Sequence, residues 1–238
     1  MSSLYKQYRQ LVNEGLSRVA DTPVITEQHI QHLPGVVQKY LRYTGALGKP
    51  TVQNVRAVFE GKIRNGLNSP WMDFKSEQYN FFDSPTRLFY MKARMFSIPF
   101  CGLHAYVGNE ATMRVKMLSF IPLVNAQGPK MNQSETVTMF NDMCFLAPAS
   151  LIGNNILWTE ISEDKVTASF TNAGKTIRAK LFFNNEGALV NFVSGDRYLS
   201  ADGKNYVSYD WETPLSSYQY YNSSLVPSYG EAIWKMPN

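Results

Sequence analysis

Short turns between alternating runs constrain the fold of this chain more than any other feature. In most of residues 52–221 every second residue is apolar, and turns rich in Asn, Asp and Gly separate the runs. A parallel crossover needs a dozen or more residues, and these links are much shorter. Consecutive strands must therefore be antiparallel neighbours, and the sequence predicts a meander sheet.

Helical patterns precede and interrupt these strands. Apolar residues recur at three- and four-residue spacing near the start of the chain, as in Leu4, Tyr8 and Val12. Pro34 and Gly45 then mark the start and the end of a further helix. Large meanders twist and curl, so their concave face needs to be filled, and these helices are available to fill it.

The expected architecture is a single α+β domain over residues 1–238. We expect a strongly curved antiparallel meander, or half barrel, with the N-terminal helices and a central helix packed at its mouth. The predicted segments are a helical part in 1–45, strands in 52–120, a central helical segment in 132–152 and strands in 156–236.

Charge and composition exclude several classes of protein. The 23 Lys and Arg against 19 Asp and Glu give a net charge of +4, which is too small an excess to indicate nucleic-acid binding. No apolar run reaches the roughly 18 residues of a membrane span. The start lacks the apolar stretch of a signal peptide, so a cytoplasmic protein is expected unless the chain was trimmed. The two cysteines are expected to be reduced and buried.

The common catalytic and cofactor signatures are missing from the sequence. It contains no G-x-x-x-x-G-K-[ST], no G-x-G-x-x-G and no G-x-S-x-G, so no cofactor is predicted. His29 and His32 lie three apart but lack a third ligand at a recognisable spacing, and no metal site is predicted. A Cys101–His104 pair is conceivable, although neighbouring apolar residues favour simple packing.

Methionine placement is the strongest indication of a binding site. Seven of the ten methionines fall between Met91 and Met143, and two strands each place a pair on one face. Flexible methionine side chains suit a hydrophobic ligand of variable shape, and they equally suit an ordinary core in which they fill gaps. The predicted ligand-binding residues are Phe89, Met91, Met95, Met113, Met117, Phe140 and Met143.

Two carboxylates on the central helix are the candidate catalytic groups. Glu135 follows Asn132 at the spacing of a capping box, which favours a role at the helix start. Asp142 stands in a late turn, against the negative end of the helix dipole, so a local partner should compensate it. The two are about 10 Å apart along the helix and are too distant to share a proton. The partner of Asp142 is expected on a neighbouring strand, and the candidates are Arg94, Arg114 and Arg197.

Motifs along the chain, among them Leu33-Pro34 with Val37–Gly45 and Gln133–Met143 with Ala147-Pro148, resemble those of a bacterial family of unknown function. The similarity spans nearly the whole chain, and it implies no activity or site residue, because none is established for that family. Its fold is also expected to be similar to that of periplasmic lipoprotein carriers, in which a half barrel holds acyl chains beneath helical lids. The motifs are Leu33-Pro34, Val37–Gly45, Pro85-Thr86-Arg87, Gln133–Met143 with Ala147-Pro148, Asp196-Arg197-Tyr198, Trp211–Pro214 and Gly230–Trp234.

Three functions follow as hypotheses. The first is non-enzymatic binding of a small apolar or lipid-like molecule, with the central helix as lid. The alternative is a cofactor-independent enzyme that uses Asp142 with Glu135 or Arg197. The third is a scaffold or homodimer through a C-terminal edge strand, since the chain ends where a hairpin turn would begin. The polar residues that could instead form a buried structural network are Arg56, Gln78, Asn141 and Asp196.

Overall fold

The computed structural model describes residues 3–64, 66, 68–95, 97–200 and 203–237. The chain forms two compact units, and each is built from more than one stretch of sequence. The first unit comprises Met1–Ala20, Asn54–Asn132 and Ser200–Tyr206. The second comprises Asp21–Gln53, Gln133–Leu199 and Val207–Asn238.

The first unit contains one helix and one six-stranded sheet. Every strand pairs antiparallel with the next in the chain, in the order β1-β2-β3-β4-β5-β6. Its elements are α1 (Ser3–Leu16), β1 (Asn54–Ile63), β2 (Met72–Phe81), β3 (Thr86–Met95), β4 (Ile98–Val107), β5 (Glu110–Met117) and β6 (Ile121–Gln127).

Helix α1 covers one face of this sheet. Leu4, Tyr8 and Val12 are its buried stripe, as the spacing predicted. They pack in one cluster with Leu88 and Leu103, whose alternate positions on β3 and β4 face the helix. The core of the first unit therefore lies on the α1 side of the sheet.

The second unit holds the remaining helices and strands. A second six-stranded antiparallel sheet has the order β16-β13-β10-β9-β8-β7, and β11-β12 and β14-β15 form two separate pairs. The helices are α2 (Glu27–Ile30), α3 (Gly35–Tyr43) and α4 (Pro129–Leu146), which begins in the first unit, followed by a 3-10 turn at Pro148–Ile152. The strands are β7 (Ile156–Ser162), β8 (Lys165–Asn172), β9 (Lys175–Phe183), β10 (Leu189–Ser194), β11 (Tyr198–Leu199), β12 (Val207–Ser208), β13 (Asp210–Glu212), β14 (Leu215–Tyr221), β15 (Ser224–Gly230) and β16 (Ile233–Lys235).

Aromatic rings from α4 and the second sheet form the core of the second unit. Phe140 stacks on Phe170 with ring centroids 5.0 Å apart and meets Phe192 edge-on at 5.9 Å. Tyr40 of α3 is fully buried, contacts Phe183 and donates a hydrogen bond of 2.7 Å to the carbonyl of Cys144. Both helices are therefore fixed to one sheet and to each other.

The α+β class and the antiparallel meander are confirmed. Twelve of the described strands form two six-stranded sheets, one before and one after the central helix, and the other four form two separate pairs. The single-domain organisation stays a prediction. No helix among the described residues is long and apolar enough to cross a membrane.

Two strand predictions were incomplete. The strand β6 was not predicted, because Pro122 interrupts its pattern; the sheet tolerates this proline because β6 is an edge strand. The alternating pattern also predicts one continuous strand over 188–199, and this prediction is wrong. The strand ends at Ser194, and the segment from Gly195 to Arg197 turns away before β11.

The predicted start of the central helix was also wrong. Helix α4 begins at Pro129, three residues before Asn132, with Gly128 at a φ of 110° immediately before it. Proline is well suited to the first helical position. Glu135 therefore lies inside the helix, and the capping-box interpretation does not hold. The Oδ1 atom of Asn132 instead accepts a hydrogen bond from the backbone N–H of Ala111.

Candidate functional site

One face of the first sheet carries the predicted apolar ligand surface. The strand register aligns Phe89 with His104 and Met113 across β3, β4 and β5. The next row toward the β3–β4 turn aligns Met91 with Gly102 and Val115. We define the methionine face by this set: Phe89, Met91, Ala93, Gly102, Met113, Val115 and Met117.

The methionine face lies opposite the face that α1 covers. Leu88 and Leu103 on the α1 side are fully buried, because the helix packs directly against them. Phe89, Met91 and Met113 on the methionine face are only half-buried. Half-buried, flexible thioethers can change rotamer to fit an irregular apolar shape at small cost.

Gly102 is buried in the centre of the methionine face and leaves room for a small side chain. It stands in the interior of β4, in regular register with both neighbouring strands. A Cβ atom added there would meet the side chain of Val115 at 3.7 Å and the carbonyl of Arg114 at 3.8 Å, which are ordinary contact distances. A glycine inside a regular strand weakens it and often marks a close approach by a ligand or another backbone. Space for at least a methyl group therefore exists above Gly102.

A polar cluster borders the methionine face at the end away from the β3–β4 turn. Gln78, Asn80 and Arg87 are all buried. Nη2 of Arg87 donates to Oε1 of Gln78 (3.1 Å), and Nε2 of Gln78 donates to Oδ1 of Asn80 (2.6 Å). The guanidinium of Arg87 also lies 5.1 Å from the ring centroid of Phe89. The face thus changes along β3 from polar at Arg87 to apolar at Met91 and beyond.

Three predicted ligand residues are not part of this described face. The side chain of Met95 lies outside the described residues, although its backbone continues β3. Phe140 and Met143 lie on α4 in the second unit, where both are buried and Phe140 belongs to the aromatic core. The predicted role of α4 as a lid stays a prediction.

Glu135 and Arg197 do come together, inside the second unit. Nη2 of Arg197 lies 3.9 Å from Oε1 of Glu135. The hydroxyl of Thr138 joins them, since it accepts from Nε of Arg197 (3.1 Å) and lies 3.1 Å from Oε1 of Glu135. The Glu135 side chain is 0% exposed and that of Arg197 is 19% exposed. Burial of this carboxylate is tolerable because an arginine and a hydroxyl accompany it.

Two tryptophans enclose the same arginine. The Cζ atom of Arg197 lies 4.6 Å from the ring centroid of Trp211 and 5.0 Å from that of Trp234. These two residues are direct cross-strand partners on β13 and β16. Sequence reasoning missed both of them, although each lies in one of the motifs quoted above. We name Glu135, Thr138, Arg197, Trp211 and Trp234 the arginine clamp.

The backbone on either side of Arg197 is fixed to helix α4. The N–H of Tyr198 donates to Oγ of Ser134 (3.0 Å), and Nε2 of Gln133 donates to the carbonyl of Asp196 (3.0 Å). The carboxylate of Asp196 also accepts from the N–H of Arg178 on β9 (2.7 Å). These bonds account for the end of β10 at Ser194, because the following residues bond the helix and β9. The arginine clamp and these bonds connect helix α4 to the second sheet.

Asp142 is the second candidate carboxylate of α4. It is buried on α4, two turns beyond Glu135. Burial raises the pKa of the Cys144 thiol well above its usual range, and the negative charge of Asp142 raises that pKa further. Cys144 therefore stays protonated at neutral pH and is a poor nucleophile. Asn141 is buried beside it, and its Oδ1 atom has no hydrogen-bond partner among the described residues.

The remaining polar candidates have local structural roles. Nδ1 of His29 accepts from the backbone N–H of Thr26, which caps α2. Cys101 faces the α1 core. His104 follows it by three residues on β4 and so lies on the opposite side, on the methionine face, and the two do not form a pair. Arg56 is paired with Glu77 at the surface and is not part of a buried network. Within the described part of the chain, no group of three or more His, Cys, Asp or Glu could hold a metal ion.

These features define an α+β protein with two antiparallel sheets, one apolar face and a buried arginine clamp. The chain belongs to the family of unknown function DUF6544, whose model matches residues 23–238. That match confirms the family resemblance seen in the motifs. Comparisons with curated proteins and with solved structures found no match, so the similarity to periplasmic lipoprotein carriers is not confirmed.

Proposed function

We propose that this protein binds a hydrophobic or lipid-like molecule against the methionine face, without catalysing a reaction. The observation that carries the proposal is the space left by Gly102, which is set among half-buried methionines on a sheet whose other face is already packed. Binding sites for small apolar molecules are concave, largely apolar and bordered by a few placed polar groups.

The dimensions of the face suit an elongated apolar group. From Phe89 to Ala93 the strand rises about 13 Å, at about 3.4 Å per residue. Arg87, Gln78 and Asn80 stand at one end of this stretch, where they can meet the polar end of an amphiphile. An acyl chain placed along β3 would contact thioethers and rings, with its polar end toward Arg87.

The alternative of a cofactor-independent enzyme has one supporting observation, the contact between Glu135 and Arg197. Its geometry favours a different role. The Glu135 side chain is fully buried, and two indole rings flank the arginine. A catalytic carboxylate must come within hydrogen-bond reach of a substrate. We infer that Arg197 and Glu135 stabilise the second unit.

The direct test is native mass spectrometry of the freshly purified protein, with organic extraction and analysis of what it releases. A reproducible acyl or isoprenoid species at one molecule per chain is expected. A second measurement titrates the protein with a fluorescent polyene fatty acid. An apo mass together with no saturable fluorescence change would contradict the proposal.

Gly102→Leu locates the site. The leucine side chain would fill the space between Met91 and Val115, so it should weaken binding of the polyene fatty acid at least tenfold while the protein stays folded. The matched control is Val58→Leu, which adds a methylene on an exposed position of the same sheet's other face. Unchanged binding by Gly102→Leu would exclude the methionine face as the site.

Two further predictions stay proposals. A homodimer through the C-terminal edge would use β16, which is an edge strand of the second sheet but only three residues long. Sedimentation at several concentrations tests it, and a monomer at all of them would contradict it. The cytoplasmic location is likewise a prediction, which fractionation of the source cells would test.

A further inference from the structure

Three turns of the first sheet lie at the same end. In a meander, alternate connections return to the same side, so the β1–β2, β3–β4 and β5–β6 turns are neighbours. The strand register agrees, because it pairs Ile63 with Met72, Met95 with Ile98 and Met117 with Ile121 next to those turns. We name this the hairpin end.

Large apolar side chains are exposed at the hairpin end. Phe120 is 69% exposed and Trp71 is 58% exposed, and the guanidinium of Arg64 stacks 4.6 Å from the Trp71 ring. Near the opposite end, the described exposed residues of this kind are Val107 on the sheet and Leu16 and Val19 at the end of α1, where Arg18 pairs with Asp83. Clustered exposed apolar groups mark interaction surfaces, whereas scattered single ones need no explanation. The exposed apolar residues of the hairpin end are Ile63, Trp71, Ile98, Leu118, Phe120 and Leu123.

Positive charge is concentrated at the same end. The strand ends next to these turns, residues 60–64, 71–75, 92–95 and 114–117, contain seven Lys or Arg and two carboxylates. This local excess of five exceeds the net charge of +4 for the whole chain. Five of the seven cationic side chains are exposed.

The remaining part of the same sheet does not share this excess of positive charge. Residues 54–59, 76–91 and 102–113 contain two arginines and three carboxylates. Since both parts belong to the same six strands, the asymmetry runs along the strand direction. The first sheet therefore has a positively charged apolar end and a nearly neutral one.

We propose that the hairpin end docks on the surface of an anionic phospholipid bilayer. Trp and Phe side chains are well suited to the headgroup level, where one part of the ring is apolar and the other is wet. Lysine and arginine can bury their aliphatic stems there and keep their charged heads beside lipid phosphates. A nucleic acid would use the cations but would leave Ile98, Leu118 and Phe120 exposed to water.

This docking does not depend on a ligand at the methionine face, although the two are continuous. Ala93 and Met117 of the methionine face share a register row with Phe100, two residues from the Met95–Ile98 pair that precedes the β3–β4 turn. An apolar molecule leaving a bilayer at the hairpin end would meet this row first. The two proposals can nevertheless fail separately, and the experiment is designed to show which one fails.

The test is co-sedimentation with vesicles of two compositions: phosphatidylcholine alone, and equal parts of phosphatidylcholine and phosphatidylglycerol. The unaltered protein should bind the mixed vesicles, and the binding should weaken several-fold as salt is raised. Trp71→Ser and Phe120→Ser should each weaken it about tenfold. Arg94→Glu should weaken it about fivefold or more.

Matched controls place the same changes elsewhere. Val107→Ser removes an exposed apolar group at the opposite end, and Lys180→Glu reverses an exposed charge on β9 of the second unit; neither should change vesicle binding. Circular dichroism and thermal melting confirm that each variant is folded. Should Phe120→Ser lower the melting temperature, Arg94→Glu still tests the surface.

Three results would overturn the docking proposal. They are no binding to mixed vesicles at low salt, equal binding to both compositions, and full binding by the Trp71 and Phe120 variants. Gly102→Leu separates the two proposals, because it should lose the polyene fatty acid and keep vesicle binding. If the unaltered protein binds vesicles but does not bind the polyene fatty acid, only the proposed function is contradicted.

Discussion

The two units of this protein bury their side chains in different ways. In the second unit, rings and aliphatic groups of three elements meet in a closed aromatic cluster, and the polar residues of α4 have fixed partners such as Arg197. In the first unit, α1 packs on one side of the sheet, whereas Phe89, Met91 and Met113 on the methionine face are half-buried. The second unit is closely packed against its sheet, whereas the first unit has one sheet face that is only partly buried.

This difference indicates that the two units contribute differently to stability and to binding. Close packing gives rigidity, because a change of even one methylene group in a dense interior is costly. Half-buried methionine gives adaptability at a smaller cost in stability. We therefore expect substitutions in the second unit to act mainly on the free energy of unfolding, and those on the methionine face to act mainly on binding.

The largest expected effect comes from truncating a core ring. Phe140→Ala removes a fully buried side chain that contacts three other rings, and should lower the free energy of unfolding by about 3 to 5 kcal/mol. Met113→Ala on the half-buried face should cost about 1 kcal/mol and weaken fatty-acid binding. Urea titrations followed by fluorescence measure both. Equal costs would remove the contrast between the units.

The next largest loss in the free energy of unfolding is expected at the arginine clamp. Arg197→Met leaves the fully buried Glu135 without its cation, and the free energy of unfolding should fall by about 3 kcal/mol. The double variant Arg197→Met/Glu135→Gln should recover most of that loss, because no uncompensated charge remains. Arg197→Lys should also destabilise, since an ammonium group cannot stack between two indoles as a planar guanidinium does.

The same variants of the arginine clamp distinguish a purely structural role from a direct role in ligand binding. If Glu135 acts only on stability, the double variant keeps the fatty-acid binding of the unaltered protein. A double variant that is stable but has lost binding would show that the clamp contributes directly to the site. Complete loss of soluble protein in the single variant, with recovery in the double, would also support the structural role.

The smallest expected effect is at an exposed ion pair of the first unit. Nζ of Lys75 lies 2.6 Å from Oε1 of Glu60, but the two side chains are 74% and 65% exposed. Such pairs contribute little, so Lys75→Gln should change the free energy of unfolding by less than about 0.5 kcal/mol. Urea titration checks this. A larger loss would show that the charges of the hairpin end serve folding rather than docking.

Local sequence patterns predicted most of the secondary structure. The four-residue spacing of Leu4, Tyr8 and Val12 identified the buried stripe of α1, and the period of two identified most of the strands. The failures have local reasons. Pro122 hid an edge strand, and the tertiary bonds of Asp196 and Tyr198 ended a strand that the pattern would have continued.

The candidate sites were predicted only in part. Alternation placed Phe89 with Met91 on one face of β3 and Met113 with Met117 on one face of β5, because side-chain direction in a strand follows from residue number. The strand register shows that both pairs lie on the same face of the sheet. The sequence predicted Asp142 with Glu135 or Arg197 as its partner, whereas the structure brings Glu135 and Arg197 together, a pair that was not predicted. Trp211 and Trp234 were missed, since nothing in a single sequence indicates which distant rings will flank an arginine.

The sequence by itself determined the fold class, the helix stripes and the antiparallel neighbours, because these depend on period and link length over a few residues. Only the tertiary structure decided that most strands divide into two large sheets, that Gly102 leaves room for a small side chain and that three turns share one positively charged apolar end. Those features depend on which strands pair and on what packs above each residue. Such long-range contacts are not encoded in any local pattern.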